Sequence, residues 1–138
     1  MEPKFKIVLD TNILISSLWG GNPGRIIELW DEGLFLLVAS FPILDEYFSI
    51  FNRFNLTEED IENITIIFSN PTKTRIIVPK HKITLIKDDP DDNRFIECAL
   101  AGEVNFLISG DKHLLSVKEK IKDFEIIRVV QFLKLIDK

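Results

Sequence analysis

Histidine, cysteine and positive charge are all in short supply in this chain, and each shortage removes a class of function. Cys98 is the single cysteine, so no internal disulfide is available and the core must hold the fold by itself. Met1-Glu2-Pro3-Lys4 runs directly into an apolar stretch with no export signal. A lone cysteine and no such signal predict a reducing, cytoplasmic setting. His81 and His113 are the only histidines. They are too few and too scattered for a zinc cluster or a histidine-driven active site. No apolar run reaches the length of a membrane span, so no membrane association is expected. The formal net charge of −5 and pI of about 5.1 argue against gripping nucleic acid by bulk charge, where a basic domain is expected. A metal site built of carboxylates depresses the charge count on its own, and bound cations return part of it. Repeats, low-complexity tracts and dividing linkers are missing too, so the 138 residues read as one domain, residues 1–138.

What is present is apolar and ordered. Hydrophobic residues make up 46% of the chain and eleven of them are Phe, enough for a core without disulfides. Phe5–Leu9, Leu34–Val38, Arg75–Val78, Val104–Ile108 and Glu125–Val129 are short runs rich in β-formers. Unbroken runs of this kind suit strands buried on both faces, as in a parallel sheet. Helical patterns lie between them. Asn22-Pro23 offers an N-cap and first-turn proline, Ile26, Ile27 and Trp30 an inward stripe, and Gly33 a stop. Pro42 opens a helix with Leu44, Tyr47, Phe48 and Phe51 at helical spacing. Thr57-Glu58-Glu59-Asp60 starts another, with Ile61, Ile64, Ile67 and Phe68 as its apolar side. Asp92 or Asn93 begins a helix carrying Phe95, Ile96, Ala99 and Leu100, ended by Gly102. The alternation predicts an α/β fold, a three-layer α/β/α sandwich around a central, mainly parallel sheet.

Four acidic residues stand where such a fold gathers side chains, just past strand ends and at helix starts. Asp10 ends the first apolar run, in Asp10-Thr11-Asn12. Glu46 lies in the first turns of a helix, beside an Asp45 that reads as solvated surface. Asp92 closes the knot Asp88-Asp89-Pro90-Asp91-Asp92, and Asp111 follows Ser109-Gly110. Each has a plainer explanation alone. Asp10 and Asp111 are good helix caps, the Asp-Pro knot is a good turn, and helical acids are mostly surface. Together they point to a divalent cation. Two carboxylates ~4 Å apart at an effective dielectric of ~20 repel by about 4 kcal/mol. Mg²⁺ and Mn²⁺ take oxygen ligands of this type.

The order Leu9-Asp10-Thr11-Asn12, Glu46, Asp89-Pro90-Asp91-Asp92-Asn93-Arg94-Phe95, Ile108-Ser109-Gly110-Asp111 resembles PIN-domain proteins. Within them it is most similar to the VapC-like ribonucleases that form the toxin half of toxin–antitoxin pairs. The likeness runs from Ile7 to about Leu133. It includes Asn22-Pro23-Gly24 and the closing segment Ile126-Ile127-Arg128 to Gln131-Phe132-Leu133. The resemblance implies a PIN-like nuclease domain hydrolysing RNA phosphodiester bonds with Mg²⁺ or Mn²⁺. Asp10, Glu46, Asp92 and Asp111 match the acidic quartet, catalytic and metal-binding, with Asp91 the nearest substitute for Asp92. Asn12 and Ser109 match its polar supports, Ser109 standing where many relatives carry Thr. A small antitoxin partner and a homodimer are implied as well.

Arg25, Arg94 and Lys112 lie near the quartet in sequence and are candidates for substrate phosphates, against the plainer reading of solvated charges or ion pairs. Trp19 and Phe41 are candidates for base stacking, against core packing. His113, next to Lys112, is a candidate for touching a phosphate, against the plainer reading of surface, and Cys98 reads as a buried small hydrophobe. Two other functions compete. One is a catalytically inactive PIN-fold module that binds RNA or a partner. The other is a phosphatase with a strand-end aspartate nucleophile, disfavoured because Asp10-Thr11-Asn12 lacks a second Asp two residues on.

Overall fold

The computed structural model describes residues 2–18 and 21–136, residues 21 and 22 through their backbone alone. The apolar runs become strands β1 (Phe5–Leu9), β2 (Phe35–Ala39), β3 (Thr74–Ile76), β4 (Phe106–Ile108) and β5 (Glu125–Ile127). They form one sheet in the order β3-β2-β1-β4-β5, with every pairing parallel. Helices α1 (Thr11–Ser17), α2 (Gly21–Glu32), α3 (Phe41–Phe51), α4 (Glu58–Ser69), α5 (Asn93–Ala101), α6 (Lys112–Ser116) and α7 (Val129–Ile136) connect and follow the strands. All five residues of β2 and the last three of β1 are buried. Successive strand residues point to opposite faces, so both faces of the sheet are covered, as the α/β/α reading requires.

Aromatic clusters anchor the helices. Phe132 of α7 meets Phe5, Phe35 and Phe106 at centroid distances of 5.8, 6.0 and 6.0 Å. Trp30 of α2 packs edge-on against Phe68 of α4 at 4.9 Å, and its indole N–H donates to the Lys73 carbonyl at 3.0 Å. A buried aromatic pair of this kind is worth about 0.5–1.5 kcal/mol beyond its burial. Helix α2 ends as its sequence predicts. Gly33 takes a φ of +82°, and the Gly33 and Leu34 amides donate to the Trp30 and Leu29 carbonyls, each at 3.0 Å. A side chain there is strained whatever the space around it. Thr57 and Asp60 form the capping box that starts α4.

Some expectations give way. Helix α2 opens at Gly21, so Asn22 lies inside its first turn rather than capping it. Helix α3 begins at Phe41, and its buried stripe is Ile43, Tyr47 and Phe51. Phe48, one position off that i, i+4 row, is 46% exposed. Ile61, in the first turn of α4, is 52% exposed because Ile64 and Ile67 make the inward contact. Strand β3 has Arg75 and Ile76 exposed, since it closes the sheet at one edge with β2 as its only strand neighbour. No described helix is long and apolar enough to cross a membrane.

Candidate metal centre

Strand order sets the location. The chain leaves β1 toward β2 and β3 on one side, then returns to place β4 and β5 on the other. The carboxyl ends of β1 and β4 therefore bound a crevice where successive connections diverge. Leu9 pairs with Ile108, so one step further Asp10 stands beside Ser109. The Asp10 amide donates to the Ile108 carbonyl at 3.1 Å, and the Ser109 hydroxyl donates to Asp10 Oδ2. Ser109 is fully buried and also accepts from the Asp111 amide at 2.9 Å, tying both strand-end acids to one hydroxyl.

Asp10 caps α1 and is nonetheless part of the crevice. Its Oδ1 accepts from the amides of Asn12 at 2.7 Å and Ile13 at 3.4 Å. Burial raises its pKa, opposed by the Ser109 hydroxyl and the two amides, with the charge of Asp111 adding to the rise. Asp111 likewise caps α6, accepting from the His113 amide at 2.7 Å. Capping and crevice placement thus coexist in the same side chains.

Helix α3 delivers Glu46. The Tyr47 hydroxyl donates to the Leu9 carbonyl, fastening α3 to the end of β1. Burial pushes the Tyr47 phenol well above its ordinary value, so it stays a donor. One residue earlier, Glu46 turns to the crevice, where Oε2 accepts from the Thr11 hydroxyl and Oε1 lies 3.5 Å from Arg94 Nη1.

The acidic knot is held by Asn93, which the sequence marks only as a helix start. Asn93 is buried, accepts from the Ile86 amide at 2.9 Å, and donates to the carbonyls of Ile86 at 2.8 Å and Pro90 at 3.0 Å. This clasp closes the loop over residues 87–92 and fixes the 3₁₀ turn Pro90–Asp92. The only signal for it is an Asn among turn-forming acids. Asp92, at the start of α5, makes no capping bond. Its side chain is 15% exposed, whereas that of Asp91 is 80% exposed and turns to Arg94 at 3.3 Å. Asp92, with Asp89, faces inward.

Asp10, Thr11, Asn12, Glu46, Asp89, Asp92 and Asp111 therefore line one crevice of about 200 Å³, floored by Ile50 and Phe95. Burial, then the charges of Asp111, Asp89 and Asp10, raise the Asp92 pKa to about 6, with His113 lowering it. His113 departs from the surface reading. It is partly buried, with Nδ1 3.7 Å from Asp92 Oδ2 and 3.6 Å from Asp111 Oδ1. Asp92 Oδ2 and His113 Nδ1 are both buried without a hydrogen-bond partner. Asp89, Asp92 and His113 each offer a ligand atom within 4.8 Å of the others. Orphaned buried donor atoms facing crowded carboxylates fit a divalent cation.

The basic candidates fare unevenly. Arg94 donates to the Asp91 and Pro42 carbonyls and pairs with Glu46 and Asp91, so it braces Glu46 without itself lining the crevice. Arg25 pairs with Glu28 at 3.1 Å and Glu32 at 4.0 Å and does not line the crevice. Lys112 is exposed beside Asp111. Phe41 is 61% exposed rather than packed in the core, and Trp19 lies outside the described residues. Cys98 is fully buried, its thiol pushed by burial up to about 12.

Comparison with known proteins bears on this geometry. A family model described as PIN domain matches residues 6–113, from β1 through the start of α6. An uncharacterized protein of Methanocaldococcus jannaschii is 33% identical over 130 residues, covering 89% of this chain and 81% of that protein. The crystal structure of VapBC2 from Rickettsia felis bound to a DNA fragment from their promoter contains a chain of the same fold. The match has a TM-score of 0.58 at 16% identity and covers 89% of this chain and 98% of that one.

Proposed function

The chain belongs to the PIN-domain family, and from that premise we propose that it is a metal-dependent endoribonuclease, the toxin component of a toxin–antitoxin pair. One observation carries the reading. Carboxylates from β1, α3, the 3₁₀ turn and β4 converge on a single crevice that, among the described residues, no Lys or Arg lines. Asp10, Glu46, Asp92 and Asp111 are the residues that would hold Mg²⁺ or Mn²⁺. When bound, such a cation neutralises the crowded acids, lowers the pKa of a water and balances charge on phosphate oxygens.

The chain's own part is positional. The Ser109 hydroxyl and the two α1 amides fix Asp10 in one orientation at the crevice. Thr11 holds one oxygen of Glu46 while Arg94 balances the other. The Asn93 clasp keeps Asp92 at the crevice mouth. Asn12 faces the same space and is placed to orient a phosphate or water. Lys112, next to Asp111 in the chain, and Phe41, at the start of α3, are both exposed and are the candidates for the RNA backbone and a base. The net charge of −5 then makes substrate binding depend on the cation as well as on side chains.

The toxin role rests on the sequence resemblance together with the fold shared with a VapBC2 chain. A small antitoxin, an RNA substrate, a homodimer and a cytoplasmic setting belong to the same proposal. A mixed-sequence single-stranded RNA should be cut internally with Mn²⁺ or Mg²⁺ and left intact with EDTA. Asp10→Asn and Asp92→Asn should each remove cleavage. Normal cleavage by both variants would sink the active-site assignment.

A further inference from the structure

We propose that His113 supplies a nitrogen ligand to the cation of this crevice, so that the site prefers Mn²⁺ to Mg²⁺. This rests on the reading of the crevice as a metal centre and goes beyond it by adding a ligand outside the acidic quartet.

Three observations support it. Asp111 caps α6 and accepts from the His113 amide, which sets residue 113 beside this strand-end acid. His113 Nδ1 lies 3.7 Å from Asp92 Oδ2 and 3.6 Å from Asp111 Oδ1. These separations are too long for hydrogen bonds, which close to about 2.9 Å. They suit two ligands of one ion, because metal–ligand bonds of about 2.1 Å put neighbouring ligand atoms ~3 Å apart and opposite ones ~4 Å apart. Finally, Asp92 Oδ2 and His113 Nδ1 face each other out of contact with solvent and without a hydrogen bond.

The chemistry of the ligand sets the preference. Mg²⁺ holds oxygen ligands in strict octahedral geometry and keeps its waters, gaining little from imidazole. Mn²⁺ takes carboxylates and stands with the transition ions that also accept nitrogen. A quartet of carboxylates alone carries no such bias. The pattern escapes sequence reading because histidine sites are sought as pairs, and His81 is elsewhere, exposed near α5.

Pulsed electron paramagnetic resonance on the intact protein with one equivalent of Mn²⁺ tests the proposal. The His81→Asn background leaves His113 as the only imidazole. Nitrogen modulation on Mn²⁺ should appear, change to the ¹⁵N pattern with ¹⁵N-histidine labelling, and vanish in His113→Ala. Calorimetric titration should show His113→Ala weakening Mn²⁺ by about tenfold or more while Mg²⁺ changes far less. Bound Mn²⁺ with no nitrogen coupling in the labelled, unsubstituted site overturns the inference. So does equal weakening of both cations, as expected if His113 only balances carboxylate charge. Either result leaves the metal-centre reading standing. Mn²⁺ that fails to bind, or binds identically in Asp10→Asn and Asp92→Asn, overturns both.

Discussion

Replacing Asp92 by Asn should stabilise the metal-free protein while destroying its cation site. The folded chain raises the Asp92 pKa from 3.8 to about 6, through burial first and the Asp111, Asp89 and Asp10 charges next. A tenfold change in proton affinity corresponds to about 1.4 kcal/mol, so ionising Asp92 in the fold costs roughly 2–3 kcal/mol relative to the unfolded chain. The side chain is 15% exposed and the crevice it lines opens to solvent, so screening takes the figure toward the lower end of that range. The sign follows from proton binding. Well below the unfolded value of 3.8 the carboxyl is protonated in both states and contributes no penalty. Between the unfolded value of 3.8 and the folded value of about 6, the folded state holds the extra proton, and stability falls as pH rises. Above that window the penalty is complete. Asp92→Asn should therefore gain roughly 2–3 kcal/mol in EDTA at about pH 8, and almost nothing near about pH 3. For a chain of this size that is about 6–12 °C in melting temperature. Urea unfolding of both proteins across the pH range measures the difference directly. Mn²⁺ should oppose this gain, because the substituted site no longer holds the ion: about a hundred times Kd adds about 2.7 kcal/mol to the unsubstituted protein and cancels the difference, and about a thousand times Kd adds about 4.1 kcal/mol and reverses the order. A gain of equal size at every pH, or no gain at neutral pH, would refute the repulsion argument.

Three further substitutions probe the supports. Ser109→Ala removes the hydroxyl shared by Asp10 and the Asp111 amide. It should weaken Mn²⁺ binding by about 10-fold or more, with Ser109→Thr restoring much of it, as calorimetry would show. Asn93→Ala breaks the clasp to Ile86 and Pro90. It leaves buried backbone groups unpaired and should cost roughly 2–4 kcal/mol in urea unfolding. Gly102→Ala puts a methyl 2.6 Å from Val38 Cγ1 and 3.1 Å from the Cys98 carbonyl. That overpacking should lower stability by about 1–3 kcal/mol, and a melting temperature at or above the parent value would show that the contact relaxes freely.

Where the sequence is readable, the reason is periodicity and punctuation. Phe5–Leu9 is bounded by a Pro-containing start and an Asp cap, and the observed strand has those same limits. The runs Leu34–Val38 and Val104–Ile108 become Phe35–Ala39 and Phe106–Ile108, because ladder pairing with β1, rather than hydrophobicity, decides where a strand begins. The four acids are legible as a set, since strand ends and helix starts fix where a side chain points in a parallel sheet. What stays hidden depends on partners distant in sequence. Nothing local to Arg94 says that Glu46, 48 positions earlier, will engage it. Nothing local to His113 says that Asp92 faces it. Helical spacing names Phe48 and Ile61 as core, but it cannot say which turn of a long apolar stripe reaches the sheet.

The switch in strand order also fixes when the crevice can come into being. Asp10 and Ser109 are joined across 99 positions, and β1 takes its two neighbours from opposite halves of the chain. A polypeptide still emerging from the ribosome can pair β1 with β2 and build the first aromatic contacts. It then holds Asp10 without the hydroxyl that orients it, and Asp92 without its facing histidine. The ion seat is thus completed only once β4 and α6 have cleared the exit tunnel; until then Asp10 and Glu46 stand without Ser109, Asp111 and His113, and have no seat to offer.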